Sequence, residues 1–207
     1  MPEEREIKLP VSVDFALPDL DGVVEGTQAV DRGTVELSAT YWDTDDLTLL
    51  RAGLGLRHRS APRETGKWTL KAGARMVGNA VSREETDFAG TPDHPPQAAM
   101  DVVRAAAGEV ELHPIAQLVT NRHTVDLVAG SGRRAEVADD RVSVRSGDAV
   151  VDTFREVEVE LFDADDQLID AVMRRLRAAG AGEPESTPKY VRALRALGHA
   201  VPDRTPA

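Results

Sequence analysis

Charged and apolar side chains alternate along much of this chain. A period of two places each kind on its own face of a β-strand. Glu4, Glu6 and Lys8 share one face and leave Ile7 and Leu9 on the other. Arg57 and Arg59 oppose Leu54, Leu56 and His58, and Lys71 opposes Trp68 and Leu70. Arg83 and Glu85 share a face with Val81, while Glu156, Glu158 and Glu160 oppose Val157, Val159 and Leu161. With the runs near 35–41, 118–128 and 133–145, the chain reads as eight strands. Pro62-Arg63-Glu64-Thr65-Gly66, Gly130-Ser131-Gly132 and Ser146-Gly147-Asp148 are turn signals, and such short links join antiparallel neighbours. Eight strands suit a closed sheet, because a flat one would leave two long unpaired edges.

Two arrangements satisfy that pattern. In one the apolar faces fill the barrel and the charges face water. In the other the apolar faces turn outward under helices and the charges line the bore. Helical periodicity favours the second. It appears over Asp45–Ala52 after Thr44 as N-cap, over Pro96–Ala107, over Asp165–Ala179 and over about Pro188–Leu197. The third carries an apolar stripe of Leu168, Val172, Met173 and Leu176, has acids in its first turn and arginines in its last, and needs an apolar surface to cover. A bore lined with both signs of charge is costly unless water, metal or a polyanion fills it. Filled in that way, it is a site.

Composition removes other chemistries. With 25 Lys and Arg against 36 Asp and Glu, the formal charge is −11. This balance argues against a nucleic-acid or anionic-membrane surface. No cysteine is present, which excludes disulfides, thiolate zinc sites and a cysteine nucleophile. The glycine pairs lack the spacing of phosphate-binding loops, and the five histidines lack the pairing of a zinc protease. No apolar run approaches membrane-spanning length and the first residues are polar, so a cytoplasmic protein is expected. A 41% hydrophobic content over 207 residues fits one sizeable domain, or at most two small ones.

In order along the chain stand Glu4-x-Glu6-x-Lys8, Tyr41-Trp42-Asp43-Thr44, Leu56-Arg57-His58-Arg59, Trp68-Thr69-Leu70-Lys71, Ser82-Arg83-Glu84-Glu85, the Arg122 strand, Val137-Ala138-Asp139-Asp140, Glu158-x-Glu160 and Pro188-Lys189-Tyr190. This series resembles the CYTH superfamily, the triphosphate tunnel metalloenzymes, over roughly residues 4 to 194. The resemblance implies an α+β fold: an eight-stranded antiparallel β-tunnel with helices packed on its outside. The tunnel domain is expected over 1–198, with a flexible C-terminal tail over 199–207. The resemblance further implies a hydrolase of triphosphate compounds that depends on Mg²⁺ or Mn²⁺, with inorganic triphosphate as the first substrate expected. Thiamine triphosphatase and class IV adenylyl cyclase are the alternatives within the family, and a non-catalytic polyphosphate-binding module is the alternative from another class. The expected partner is a small-molecule triphosphate or polyphosphate, and a homodimer stays open.

Carried over by position, Lys8, Arg57, Arg59, Lys71, Arg83, Arg122 and Lys189 would hold phosphates. Glu4, Glu6, Glu85, Asp139, Glu158 and Glu160 would hold metal, and Glu6, Lys8 and Glu160 form the catalytic core. Asp139 and Asp140 point opposite ways on a strand, so only one can be a ligand, and Asp139 is chosen. Glu6→Gln and Glu160→Gln are expected to abolish turnover with the fold intact. Arginine forks suit phosphate oxygens, carboxylates suit hard Mg²⁺, and phosphoryl transfer needs no protein nucleophile. With Thr187 as N-cap and Pro188 as first helical residue, Lys189 sits where the helix dipole disfavours a cation by roughly 0.3 to 1 kcal/mol. Helix and ammonium together would close one mouth of the tunnel over a phosphate. Replacing Lys189 by Ala should then leave the melting temperature unchanged or slightly raised.

Overall fold

In the computed structural model, residues 3–130 and 132–202 are described. The strands are β1 (Glu3–Pro10), β2 (Thr27–Asp43), β3 (Gly55–Ser60), β4 (Lys67–Val77), β5 (Ala80–Ala89), β6 (His113–Ala129), β7 (Gly132–Ser146) and β8 (Ala149–Leu161). All neighbours are antiparallel and they close into one barrel in the order β1-β5-β4-β3-β2-β6-β7-β8. β1 lies between β5 and β8, where Glu6 stands opposite Val81 on one side and Glu160 on the other. β2 begins earlier than its alternation shows, because a bulge between Asp31 and Gly33 resets the period, with Gly33 at φ 76°.

The helices explain which face turns inward. α2 (Gln97–Ala107) sets Ala99 and Val103 on Trp42, Leu56, Trp68 and Leu70. α3 (Asp166–Ala178) buries Leu168, Val172, Met173 and Leu176 against Ile7, Leu9, Leu127, Val137, Val157 and Val159. These strand residues form the uncharged rows, so the charged rows face the bore. Asp165 caps α3 by accepting from the Leu168 N–H at 2.9 Å.

Helix starts differ from the sequence reading in two places. α1 (Thr48–Arg51) is a single turn entered through Leu47 in the left-handed region. Its main cap is the buried Asp43, which accepts from the Thr44, Leu49 and Leu50 N–H groups at 2.8, 2.8 and 3.0 Å. The Thr44 hydroxyl takes only the Thr48 N–H, at 2.9 Å. In α4 (Lys189–Ala196), Pro188 is the N-cap, in extended conformation, and Lys189 is the first helical residue. Pro188 has no side-chain acceptor to offer, so no side-chain cap forms.

α4 also corrects the expectation that every helix packs on the outside. Its Val191, Ala193 and Leu194 are fully buried among Tyr41, Ala116, Leu118, Val142 and Val144. By strand alternation Val142 shares the inner face of Asp140, and Tyr41 and Leu118 line the bore itself. α4 therefore plugs one end of the barrel. Beyond it, the His199 N–H bonds to Leu194 O at 2.9 Å and Val201 packs on the same cluster. The start of the expected tail is thus docked. Residues 203–207 of that tail, and Ser131 of the Gly130-Ser131-Gly132 turn, lie outside the described residues.

Candidate active site in the bore

The bore holds a cavity of about 110 Å³. Lys8, Arg57, Arg59, Lys71, Arg83, Arg122 and Lys189, all expected at phosphates, line it together, as do Glu4, Glu6 and Glu158. The charges fall into three groups.

On β1, β4 and β5, three acids interlock with three cations. The Lys8 Nζ lies 2.7 Å from Glu6, Arg83 also bonds Glu6, and Lys71 bonds Glu85. Glu4 has only longer contacts, 3.6 Å to Lys71 and 3.5 Å to Arg83. Burial, the hydrogen bond to Glu85 and repulsion from Glu6 push the Glu4 carboxyl up to about 7, against the pull of Lys71. Burial works the same way on Glu6, yet Lys8 and Arg83 hold its carboxyl below the usual range. Burial, Arg83 and Arg57 bring the Lys71 ammonium down to about 8.

On β6, β7, β8 and α4, Arg122 forks onto Asp140 at 2.8 and 2.6 Å and reaches Glu158 at 2.6 Å. The Lys189 ammonium sits among Asp140, Glu156 and Glu158 at 2.8, 2.8 and 2.7 Å. Its side chain is 9% exposed, and those three acids hold its pKa above the ordinary lysine value despite burial. Lys189 is thus a neutralised structural cation facing the bore. The helix-dipole argument for a harmless removal left these three ion pairs out of account. Lys8, 3.8 Å from Glu158, joins this group to the first.

The third group is the pair Arg57 and Arg59 on β3. Neither makes an ion pair with any acid among the described residues. The Arg57 Nε is buried without a hydrogen-bond partner, although its side chain bonds to Tyr41. Arg57, burial and Arg122 together pull the Arg59 guanidinium down to about 10. Two half-buried guanidinium groups thus stand side by side in the bore without an acid in ion-pair contact among the described residues.

Asp139 does not belong to the bore. Its carboxylate faces outward and is clamped by Arg155 at 2.8 and 2.6 Å, while Arg155 also donates to Val13 O at 2.8 Å. Asp140, with no side-chain exposure, holds the inward position. Parity carried the signal: Asp139 falls in step with the outward Ala135 and Val137, and Asp140 with Glu136. Glu136, absent from the sequence reading, stands opposite Glu160 and pairs with Arg133 at 3.0 Å. Glu160 makes no ion pair among the described residues. Burial first, then Glu136, pushes its carboxyl up. Glu156, in line with Glu158 and Glu160, anchors α4 through Lys189 and, at 3.5 Å, Arg192.

No three acidic or imidazole side chains among the described residues are gathered ready-made around one point for a metal ion. The donor chemistry nevertheless fits one. Hard oxygens stand at alternate positions on β1, β5 and β8, Glu4 has only long contacts to Lys71 and Arg83, and Glu160 makes no ion pair among the described residues.

The fold is a closed antiparallel barrel whose bore presents cations and carboxylates together. The chain belongs to the CYTH domain family, whose domain matches residues 2–191. It is 29% identical over 207 residues to an uncharacterized protein of Mycobacterium tuberculosis, found in two strains. That match covers 92% of this chain and 40% of the relative, so the chain spans well under half the relative's length. Among solved structures, it is similar to a candidate adenylate cyclase from Bacillus halodurans, with TM-score 0.61, 18% identity, and 93% and 98% of the two chains covered. It is also similar to a candidate adenylyl cyclase from Hippeastrum that has a dominant triphosphatase activity, with TM-score 0.56, 16% identity, and 96% and 98% covered. Both likenesses concern the fold. No helix among the described residues is long and apolar enough to cross a membrane.

Proposed function

We propose that this chain is a divalent-metal-dependent hydrolase of triphosphate compounds, with inorganic triphosphate as its first substrate. The observation that carries the reading is the Arg57–Arg59 pair, half-buried in the bore with no ion pair to an acid among the described residues while every other cation lining it has one. A linear run of phosphates supplies the missing negative charge, and guanidinium forks match its oxygens two at a time. Lys8, Lys71 and Arg83 stand beside the pair and can exchange part of their carboxylate contact for phosphate.

A pure polyanion binder needs the cations and not the acids. Glu4, Glu6, Glu85, Glu158 and Glu160 would hold the metal, in keeping with a family that is generally dependent on divalent metal ions. When bound, the metal neutralises phosphoryl oxygens and acidifies water. The chain's own part is positioning. Arg57 and Arg59 fix the phosphates, Glu6 holds Lys8 and Arg83 in the bore, and Asp140 orients Arg122 and Lys189. The Hippeastrum protein's dominant triphosphatase activity supports hydrolysis over cyclisation.

The test is a phosphate-release panel of inorganic triphosphate, pyrophosphate, ATP and thiamine triphosphate with Mg²⁺ and Mn²⁺. Release from triphosphate that stops in EDTA is expected. Equal turnover in chelator would remove the metal, and cyclic AMP from ATP without release from triphosphate would replace hydrolase by cyclase.

A further inference from the structure

The outer face of β3 carries a titratable group that the phosphate chemistry leaves unused. His58 stands between Arg57 and Arg59, and alternation turns its ring out of the barrel while theirs line the bore. The ring is 7% exposed, and its Nε2 has no hydrogen-bond partner. Its cross-strand neighbours, Thr40 of β2 and Trp68 of β4, are uncharged, and Trp68 meets it edge-on with 5.3 Å between ring centroids. In the turn between β3 and β4, Gly66 lies so near that a Cβ there would overlap the imidazole. Charge around the ring is sparse. Arg63 and Glu64 belong to the exposed part of that turn. Asp93, after β5, acts on the ring without forming an ion pair, and His94 of the same segment packs on Trp42 instead.

A second ring proton would place an N–H donor against Gly66 with no acceptor, a cost that favours the neutral ring. Burial accordingly holds the imidazole pKa below its ordinary value. β3 is also the part of the wall with least to hold it. It is the shortest strand, six residues long, and in the empty bore it carries two guanidinium groups that repel one another.

We propose that His58 is a positioning residue for the arginine pair, and that it latches β3 into the barrel wall only as the neutral imidazole. The proposal rests on the triphosphatase reading, in which Arg57 and Arg59 fix the phosphates, and adds proton control from outside the bore. While the ring is neutral, Trp68 and Gly66 grip it and β3 holds both guanidinium groups toward the bore. To take up a proton the ring must reach water, so the turn over 61–66 lifts and β3 loosens with it. Bound triphosphate does the reverse. It neutralises the pair, fastens β3 and makes His58 harder to protonate, and each equilibrium shifts the other by the same factor. The sign is distinctive, because an anion that merely came near an imidazole would stabilise the charged form.

The experiment follows the His58 ring protons by NMR from about pH 8 to about pH 5 in EDTA, with and without inorganic triphosphate. The midpoint should fall when triphosphate saturates the protein. In parallel, calorimetry measures the triphosphate affinity of the wild type and of His58→Leu across the same range. Below the His58 midpoint the wild type should lose affinity more steeply than the variant, the difference approaching about tenfold per pH unit. Protonation of triphosphate itself is common to both and cancels. A midpoint that triphosphate leaves unchanged or raises, or affinities that run parallel in pH, overturns the proposal while triphosphate binding still stands. The NMR measurement needs no substitution, so it decides the matter even where His58→Leu fails to fold. A wild type that binds no triphosphate at any pH overturns the triphosphatase reading and this inference with it.

Discussion

Replacing Lys189 by Met keeps most of the side chain's bulk and removes its charge. Three carboxylates within 2.7–2.8 Å of the ammonium then lose a cation partner, and for Glu156 it is the nearest one. Arg122 remains on Asp140 and Glu158, while Glu156 keeps only Arg192 at 3.5 Å. Breaking a buried pair in this way costs about 3 to 5 kcal/mol. The lower figure applies here, because burial already holds the Glu156 carboxyl above its ordinary value and it can take up a proton. At about 2–4 °C per kcal/mol for a chain of this size, the melting temperature should fall by roughly 6–12 °C. The deficit should shrink as pH falls, since the stranded acids then become neutral. Adding Glu156→Gln to Lys189→Met should recover part of the loss. Thermal melts by circular dichroism of the wild type and both variants decide it. A single variant that melts with the wild type, or a double variant that melts below the single, refutes the reasoning.

Arg57→Ala should weaken triphosphate binding by about 2 to 4 kcal/mol. It should leave the empty protein as stable or more so, because Arg59 loses a like-charged neighbour; calorimetry in EDTA and a thermal melt together check both signs. Glu160→Gln should abolish metal-dependent turnover while leaving the melting temperature unchanged or raised, since Glu160 has no cation to abandon. Glu6→Gln strips Lys8 and Arg83 of a buried acid, so its stability should drop by about 3 kcal/mol or more in a thermal melt. The Glu4 carboxyl, raised from 4.5 to about 7, binds its proton more tightly in the folded state. Its contribution to stability is therefore complete below its unfolded value and is lost as pH rises through about 7. Mn²⁺ needs the ionised form, so Mn²⁺ affinity measured by electron paramagnetic resonance should climb across that same interval. A flat profile would remove Glu4 from the metal.

The barrel was legible because its walls are two-faced. Ile7 and Leu9 against Glu6 and Lys8 give strand and orientation together once α3 demands an apolar surface. The seven cations were legible through the resemblance, which assigned them by their positions in the series of motifs. Where the alternation loses its meaning, the reading failed. Asp139 is charged on an apolar face because Arg155 and the residue 13–15 segment cover it from outside, a partner that strand parity cannot supply. Val142 and Val144 are apolar on a charged face because α4 enters the bore there, and nothing in the helix's own periodicity says which end of a barrel it will fill. Asp43 outcompetes Thr44 as the cap of α1 because its carboxylate reaches the Leu49 and Leu50 N–H groups at once.

The placement of β1 between β5 and β8 dictates when the molecule becomes itself. Glu6 pairs through the backbone with Val81 on one side and with Glu160 on the other, so the ring cannot shut until the eighth strand has been made. During synthesis β2 to β7 can form hairpins locally, but β1 must wait with one edge open, and contacts this distant in sequence make for slow folding. Lys189 arrives later still. The arginine pair on β3 and the carboxylates of β8 are therefore strangers for most of the chain's emergence. A nascent protein has no partial activity to offer, only the exposed edge of its first strand as a liability toward other unfinished copies.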